Sequence, residues 1–438
     1  MTARCAESMG EGSVAAAAHG LVVSSADLLK SDMDSAVSTA ARALSVGDPL
    51  SALKYVALRT DPPAVALRGI AMAQLGEWPK ALGLLRRAAK AFGDAEPIAR
   101  ARCVVAAAEV SLVLRDLQGA ARGLDDAVSL LSRRGDVANA VFARLVQARR
   151  FVLTGQVEAA EKALGKLQLA QAPARLVAVA SLIAADVAMK RVRCADAEKA
   201  LAEAERAANA SRIAALVREV EGARHRFEAP VARLLQAGTE RSVNLTELER
   251  LLASGELLVD ACRREVREGA RMASLVTRPL LLELLVALAE RAPLEVERDA
   301  LIRRLFAARR VNESHRVRLR VEVGRLRRLL ARLADVRATE GGFALVPRGE
   351  KPPHLLLPPE GGQACELWAL LRGGEAWATS ALASALGKSQ RSVQRALGEL
   401  EGEGKVRASG AGRARRWVAA ATGGFTTSLL LVAPGTLG

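Results

Sequence analysis

Two stretches of the sequence set polyanion-binding side chains at helical spacing beside a turn. In the first, Asn312-Glu313-Ser314 is followed by His315, Arg316, Arg318, Arg320 and Arg325. Within it His315, Arg318, Glu322 and Arg325 recur every three or four residues, which puts them along one helix face. In the second, Ser389 stands where a helix N-cap belongs. Gln390, Arg391, Gln394 and Arg395 then fall outside the apolar positions Val393, Leu397 and Leu400, and Arg413 and Arg415 come shortly after in a glycine-containing stretch. Arginine makes bidentate bonds to guanine and glutamine to adenine. Most arginine contacts with DNA go to phosphate, so the same residues serve positioning as well as reading. Arg318 and Arg325 are the first choices for groove or phosphate contact in the first stretch. The plainer alternative is a solvated basic helix face.

Other chemistries lack their residues. Gly387-Lys388-Ser389 ends like a phosphate-binding loop, but that motif needs glycine where Leu382 stands. His19, His225, His315 and His354 are far apart with no cysteine or carboxylate at ligand spacing, so no metal site and no cofactor is expected. Neither a Gly-x-Ser-x-Gly elbow nor a partnered nucleophile is present, and the chain is not expected to be an enzyme. Trp368, Trp377 and Trp417 fall in apolar patterns and read as core rather than as stacking platforms for bases.

Composition bounds the class. The 438 residues are half hydrophobic but only 3% aromatic, a palette of Leu, Ala and Val that suits closely packed helices. Lys and Arg number 64 against 48 Asp and Glu, a net +16 that points to polyanionic partners. Residues 272–420 hold 26 basic and 16 acidic side chains, so +10 of that charge lies in about a third of the chain. Five scattered cysteines with no Cys-x-x-Cys pair argue for a reducing compartment. No apolar run has membrane-spanning length and the N-terminus makes a poor signal peptide, so a cytoplasmic location without membrane contact is expected.

The elements that must carry these side chains follow from periodicity. Residues 34–228 repeat an apolar helix, a short break and a second helix, with breaks at Gly76-Glu77-Trp78, Arg115-Asp116, Gly155-Gln156 and Arg193-Cys194. Such self-similarity is the mark of stacked helix pairs. Leu75-Gly76-Glu77-Trp78-Pro79-Lys80-Ala81-Leu82 resembles the tetratricopeptide (TPR) consensus, loosely, since the period exceeds the family's usual length and later copies lack most of its aromatics. The resemblance implies a concave surface that could hold a peptide, a partner protein or another part of the chain. Residues 1–33 are expected to be disordered. Residues 229–272 read as a helical connector, with a capped helix after Asn244 and helical spacing across 257–267.

Residues 273–348 read as helix, helix, long basic helix and hairpin, the turn being Glu340-Gly341-Gly342. Val323-Gly324-Arg325-Leu326-Arg327-Arg328-Leu329-Leu330 followed by Ala338–Leu345 resembles the recognition helix and wing of the OmpR/PhoB class, which implies entry of that helix into the DNA major groove. No receiver domain precedes it, so the resemblance does not extend to phosphorelay control. Residues 349–363, rich in proline and glycine, read as a linker. Residues 364–420 resemble the winged helix-turn-helix of bacterial regulators through Leu382-Ala383, Leu386-Gly387-Lys388-Ser389 and the wing from Lys405 to Arg413, and 421–438 is an apolar tail. The fold class expected is therefore mainly α, a TPR-like solenoid followed by two small α+β winged-helix domains. The function implied is a transcription regulator binding double-stranded DNA, with a protein or peptide at the repeats. The rival is an interaction scaffold whose winged helices dock proteins. The sequence leaves oligomeric state, operator and effector open.

Overall fold

The computed structural model describes residues 25–419, except 115, 171, 309, 350, 360–366, 369, 372–376, 387, 403–404, 411 and 413–414. The chain is mainly helical, with small sheets in its C-terminal half. Residues 25–33, expected to be disordered, open helix α1 (Ser25–Ser45), a run without glycine or proline that favours helix. Residues 1–24 and the apolar tail 421–438 lie outside the described residues.

Among the described residues, eleven further helices follow in the N-terminal half. They are α2 (Pro49–Val56), α3 (Pro62–Gln74), α4 (Trp78–Phe92), α5 (Pro97–Val113), α6 (Leu117–Ala121), α7 (Leu124–Arg133), α8 (Val137–Leu153), α9 (Val157–Leu164), α10 (Ala174–Lys190), α11 (Cys194–Ser211) and α12 (Ala214–Glu228). Each packs on its neighbours in sequence, α3 on α4, α8 on α9 and α10 on α11. Starts are set by side chains: Asp48, Asp61, Asp116 and Asp136 each accept a bond from a first-turn backbone N–H. Stops are set by left-handed residues, glycine at Gly76 (φ 82°) but valine at Val192 (φ 55°), where the Arg193-Cys194 break falls without a glycine to announce it. Gly123 (φ 69°) splits what reads as one helix after Asp116 into α6 and α7.

Alanine builds this core. Ala81, Ala88, Ala120, Ala143, Ala160, Ala178, Ala197 and Ala204 have no exposed surface, and small side chains bring the helix axes together. At Gly69 the approach is closest, since a Cβ there would lie 2.9 Å from Leu85 Cγ. Five charged residues come together in the array: Arg149 on α8 pairs with Glu219 on α12, Arg226 lies 3.7 Å from Asp186, and Glu109 on α5 is buried with neither carboxyl oxygen hydrogen-bonded. Burial pushes Glu109 up to about 8, with Arg149 opposing and Glu219 adding to the shift.

Residues 229–272 are not the helical connector expected. They form β1 (Ala232–Gln236), β2 (Thr239–Val243), the expected capped helix α13 (Leu245–Ala253), and then β3 (Leu257–Asp260) and β4 (Glu265–Glu268); β5 (Arg271–Ser274) follows across the boundary. All four residues of β3 are buried, and a short apolar run covered on both faces carries no period that separates strand from helix. The linker reading of 349–363 is corrected too. Its residues His354–Leu357 form β9, which enters the middle of a six-stranded sheet in the order β2-β1-β9-β3-β4-β5. β9 runs antiparallel to β1 and parallel to β3, with Leu355 level with Leu235 and Val259. Its flanking prolines look like a linker in sequence; on either side of a strand they enforce extended backbone.

The sheet joins the two halves. Leu234, Leu258 and Leu356 face the core of the helical array, whereas Leu257, Val259 and Leu355 face a second core. That core is organised by α14 (Pro279–Arg291), whose Leu284, Leu285 and Leu288 are fully buried. Around it lie β6 (Val296–Glu297), α15 (Arg298–Phe306), α16 (Glu313–Leu330) and the hairpin β7 (Ala334–Ala338) with β8 (Gly342–Pro347). β6 pairs with β8, a third strand beyond the two read from sequence. At Gly342 a Cβ would lie 1.9 Å from Val296 O, so only glycine lets β8 close on β6. A last unit has its own core of Leu367, Leu371, Leu382, Val393, Leu397, Leu400 and Trp417, built on α17 (Thr379–Leu386), α18 (Gln390–Gly402), β10 (Val406–Ser409) and β11 (Arg416–Ala419).

The Glu109 environment predicts a pH dependence of stability. Its proton affinity is higher folded than unfolded, so its stabilising contribution is complete below about 4.5 and is lost as pH rises through about 8. Thermal melting should therefore occur at lower temperature near pH ~9 than near pH ~6, by up to about 1.4 kcal/mol of stability per pH unit across that window. Glu109→Gln should abolish most of the difference, and an unchanged difference would place the titrating group elsewhere.

Candidate nucleic-acid interface

The first basic helix is held from three sides. Asn312 caps α16 by accepting from the His315 backbone N–H at 3.0 Å. Leu319, Val323, Leu326 and Leu330 form its buried stripe against the α14 leucines. Arg327 Nε donates to Val336 O at 2.7 Å, tying the helix to β7. The neighbouring parts are pinned in the same way. Arg304 on α15 bonds Glu283 at 2.7 Å and also Glu290, both on α14, and these partners raise its already high pKa. Arg298 Nη1 and Nη2 donate to Glu340 O and Thr339 O at 2.6 and 2.7 Å, holding the hairpin turn against the start of α15.

The residues expected on one reading face of α16 do not all turn outward. Glu322 is buried and bonds Arg325 at 2.7 Å. His315 is half-buried, its ring stacked on Phe306 with centroids 6.1 Å apart. Arg318 is exposed, with its guanidinium 4.5 Å from the centre of the same Phe306 ring. Spacing of three and four selects a face of a helix but not the face that is outermost. The outermost line lies opposite the buried stripe, through Val317, Val321, Gly324 and Arg328. Arg318 and Arg325 form one margin of it, Arg316, Arg320 and Arg327 the other. Sequence reasoning passed over the two valines because apolar residues there look like core.

The margins are cationic but only lightly held. Arg316 lies 3.6 Å from Glu313 and 3.9 Å from Asp299, and Arg320 lies 3.3 Å from Glu313. Exposed pairs of this kind contribute roughly 0–1 kcal/mol, so a phosphate can displace the carboxylate at little cost. Beside Arg325 and Arg328 a cleft of about 760 Å³ opens toward Arg278 and Pro279 at the start of α14. Arg278 is a basic residue that the sequence reading did not single out.

The last unit presents its helix more simply. Ser389 Oγ accepts from the Ser392 N–H at 3.1 Å, the cap expected for α18. Val393, Leu397 and Leu400 are buried, while Ser389, Gln390, Arg391, Gln394 and Arg395 are exposed. Arg391 and Arg395 have no ion-pair partner among the described residues. Arg415 is exposed, 4.5 Å from the centre of the Trp417 ring and 3.9 Å from Glu401. Arg413 lies outside the described residues. Trp417 is buried and donates from Nε1 to Thr379 Oγ1 at 3.0 Å, while Trp368 and Trp377 pack partly buried against the same core. The tryptophans therefore serve packing.

Other chemistry stays dispersed. Among the described residues no cluster of His, Cys, Asp and Glu has metal-ligand proximity, and no helix is long and apolar enough to cross a membrane. Cys103 and Cys194 are buried, and burial pushes their thiols up to about 12 and about 11. His354 is buried in β9, where its Nε2 bonds Glu256; hydrogen bonds from Lys351 and His354 draw that carboxyl's pKa down.

Cap and surface pairs predict unlike costs. Asn312→Ala should lower stability by about 1 kcal/mol in urea unfolding, whereas Arg316→Ala should change it by less than about 0.5 kcal/mol. Equal losses would mean that the Arg316 pairs position α16 after all.

Compared with protein-family models, with curated proteins and with solved structures, the chain has no match.

Proposed function

We propose that the protein is a sequence-specific, double-stranded DNA-binding transcription regulator. In this reading the units at 273–348 and 364–420 are winged helices, with α16 and α18 as their reading helices and the two hairpins as wings. The helical repeats are a TPR-like array that receives a protein or peptide. The reading assigns no catalysis and needs no cofactor.

One observation carries the proposal: two separate helices, each buried on one side by a compact core and each followed by a hairpin, expose arginines on the surface turned away from that core. Charge and shape agree there. An α-helix with side chains is about 10–12 Å across, which suits the roughly 12 Å major groove. The exposed Arg391 and Arg395 of α18, and the weakly paired Arg316 and Arg320 of α16, suit backbone phosphates. Gln390 and Gln394 add amides able to pair with adenine. Two unlike readers on one chain make the second docking intramolecular and so raise its effective concentration.

Titration of labelled random-sequence duplex DNA into the full chain tests this. Binding should weaken steeply with salt, with a log–log slope of about −0.9 per phosphate neutralised. Arg391→Ala with Arg395→Ala should weaken binding and make the slope shallower by about one unit per lost phosphate contact. Absence of salt-sensitive binding up to ~100 μM, the weak end of ordinary non-specific affinities, would favour a scaffold whose small C-terminal units dock proteins.

A further inference from the structure

The outermost line of α16 begins with two apolar residues and becomes charged only at Arg328. Val317 and Val321, one helical turn apart, are 48% and 47% exposed. Gly324 follows on the same line, and the space where its Cβ would stand is empty, so an approaching surface could meet the backbone there. The Arg318–Arg325 margin lies on one side and the Arg316–Arg320 margin on the other. An apolar strip one helix turn long between two cationic margins has a counterpart in a DNA major groove. That groove has phosphates along both edges, and its floor is apolar only where thymine presents its C5 methyl.

We propose that Val317 and Val321 are specificity-determining residues that select thymine by contact with that methyl group, so that α16 favours sites with A·T pairs where its outermost line meets the groove. The inference rests on the DNA-binding reading of α16 and adds to it the base read and the residues that read it. Arginines at the margins supply affinity that is indifferent to sequence; the valines supply the choice. A water-exposed valine loses nothing by facing cytosine's amine, but that amine loses its water when covered by a methyl group. The strip therefore gains against thymine and pays against cytosine. A protein partner is less suited to it, because two valines form too small an apolar patch and the surrounding arginines would need several acidic groups in register.

The test uses the full chain and random-sequence duplexes prepared twice, once with thymine and once with uracil, which pairs identically and lacks only the methyl. Wild-type protein should bind the thymine duplexes more tightly, by about fourfold for each methyl buried. Val317→Ala combined with Val321→Ala should bind both pools alike, with the same salt slope as wild type; both positions are exposed and alanine favours helix, so the fold is retained. Salt-dependent binding with no thymine preference would overturn the valine assignment while leaving the DNA-binding reading intact. A preference that survives the double substitution would also overturn it, placing methyl recognition on α18 or elsewhere. No salt-dependent binding to either pool would remove the DNA-binding reading itself and with it this inference.

Discussion

The leucine face of α14 is the constraint on which the C-terminal half depends. Leu284, Leu285 and Leu288 are fully buried among the sheet, α15, α16 and β8, each contributing about 2 kcal/mol of burial free energy. Once that face is filled, the rotation of α16 about its axis is fixed, since Leu319, Val323, Leu326 and Leu330 have to meet it. Everything polar or unmatched on α16 must then look elsewhere. The arginine margins and the exposed valines are thus consequences of core packing before they are features of any surface.

The six-stranded sheet carries that constraint into the helical array. Alternate residues of β3 and β9 feed two different cores, Leu258 and Leu356 toward the array, Val259 and Leu355 toward α14. β9 comes from beyond the hairpin, so the chain returns through the sheet centre before it continues into the last unit. Lys351, His354 and Glu256 fasten its beginning beside β3. The first basic helix is therefore built onto the array, while the last unit holds a largely separate core, and among its described residues Val418 joins the array's apolar cluster.

Much of this was legible in the sequence where a signal is local and repeated. Helix starts at Asp or Pro, the Asn244–Glu247 capping box, the buried stripe of α16 and the Ser389 cap all follow from residue type and spacing. Long-range pairing was not legible. Nothing in His354-Leu355-Leu356-Leu357 announces two strand partners more than ninety residues earlier, and its prolines suggest a linker. Val192 shows a second kind of silence, a left-handed helix stop imposed on a β-branched residue by its surroundings. For the candidate site, spacing identified the helices and most of the exposed cations but misjudged the outermost face. His315 and Glu322 could be seen to turn inward only once Phe306 and α14 had positions.

In the proposed reading, the basic helices enter DNA grooves and the array receives a partner. In that reading both helices engage duplex DNA at once. Selection of bound sequences from a random duplex library by the intact chain, at about 0.15 M salt, measures it directly. A composite, non-palindromic site made of two unlike elements is expected. Recovery of one short element only, or of no enriched sequence at all, would contradict it.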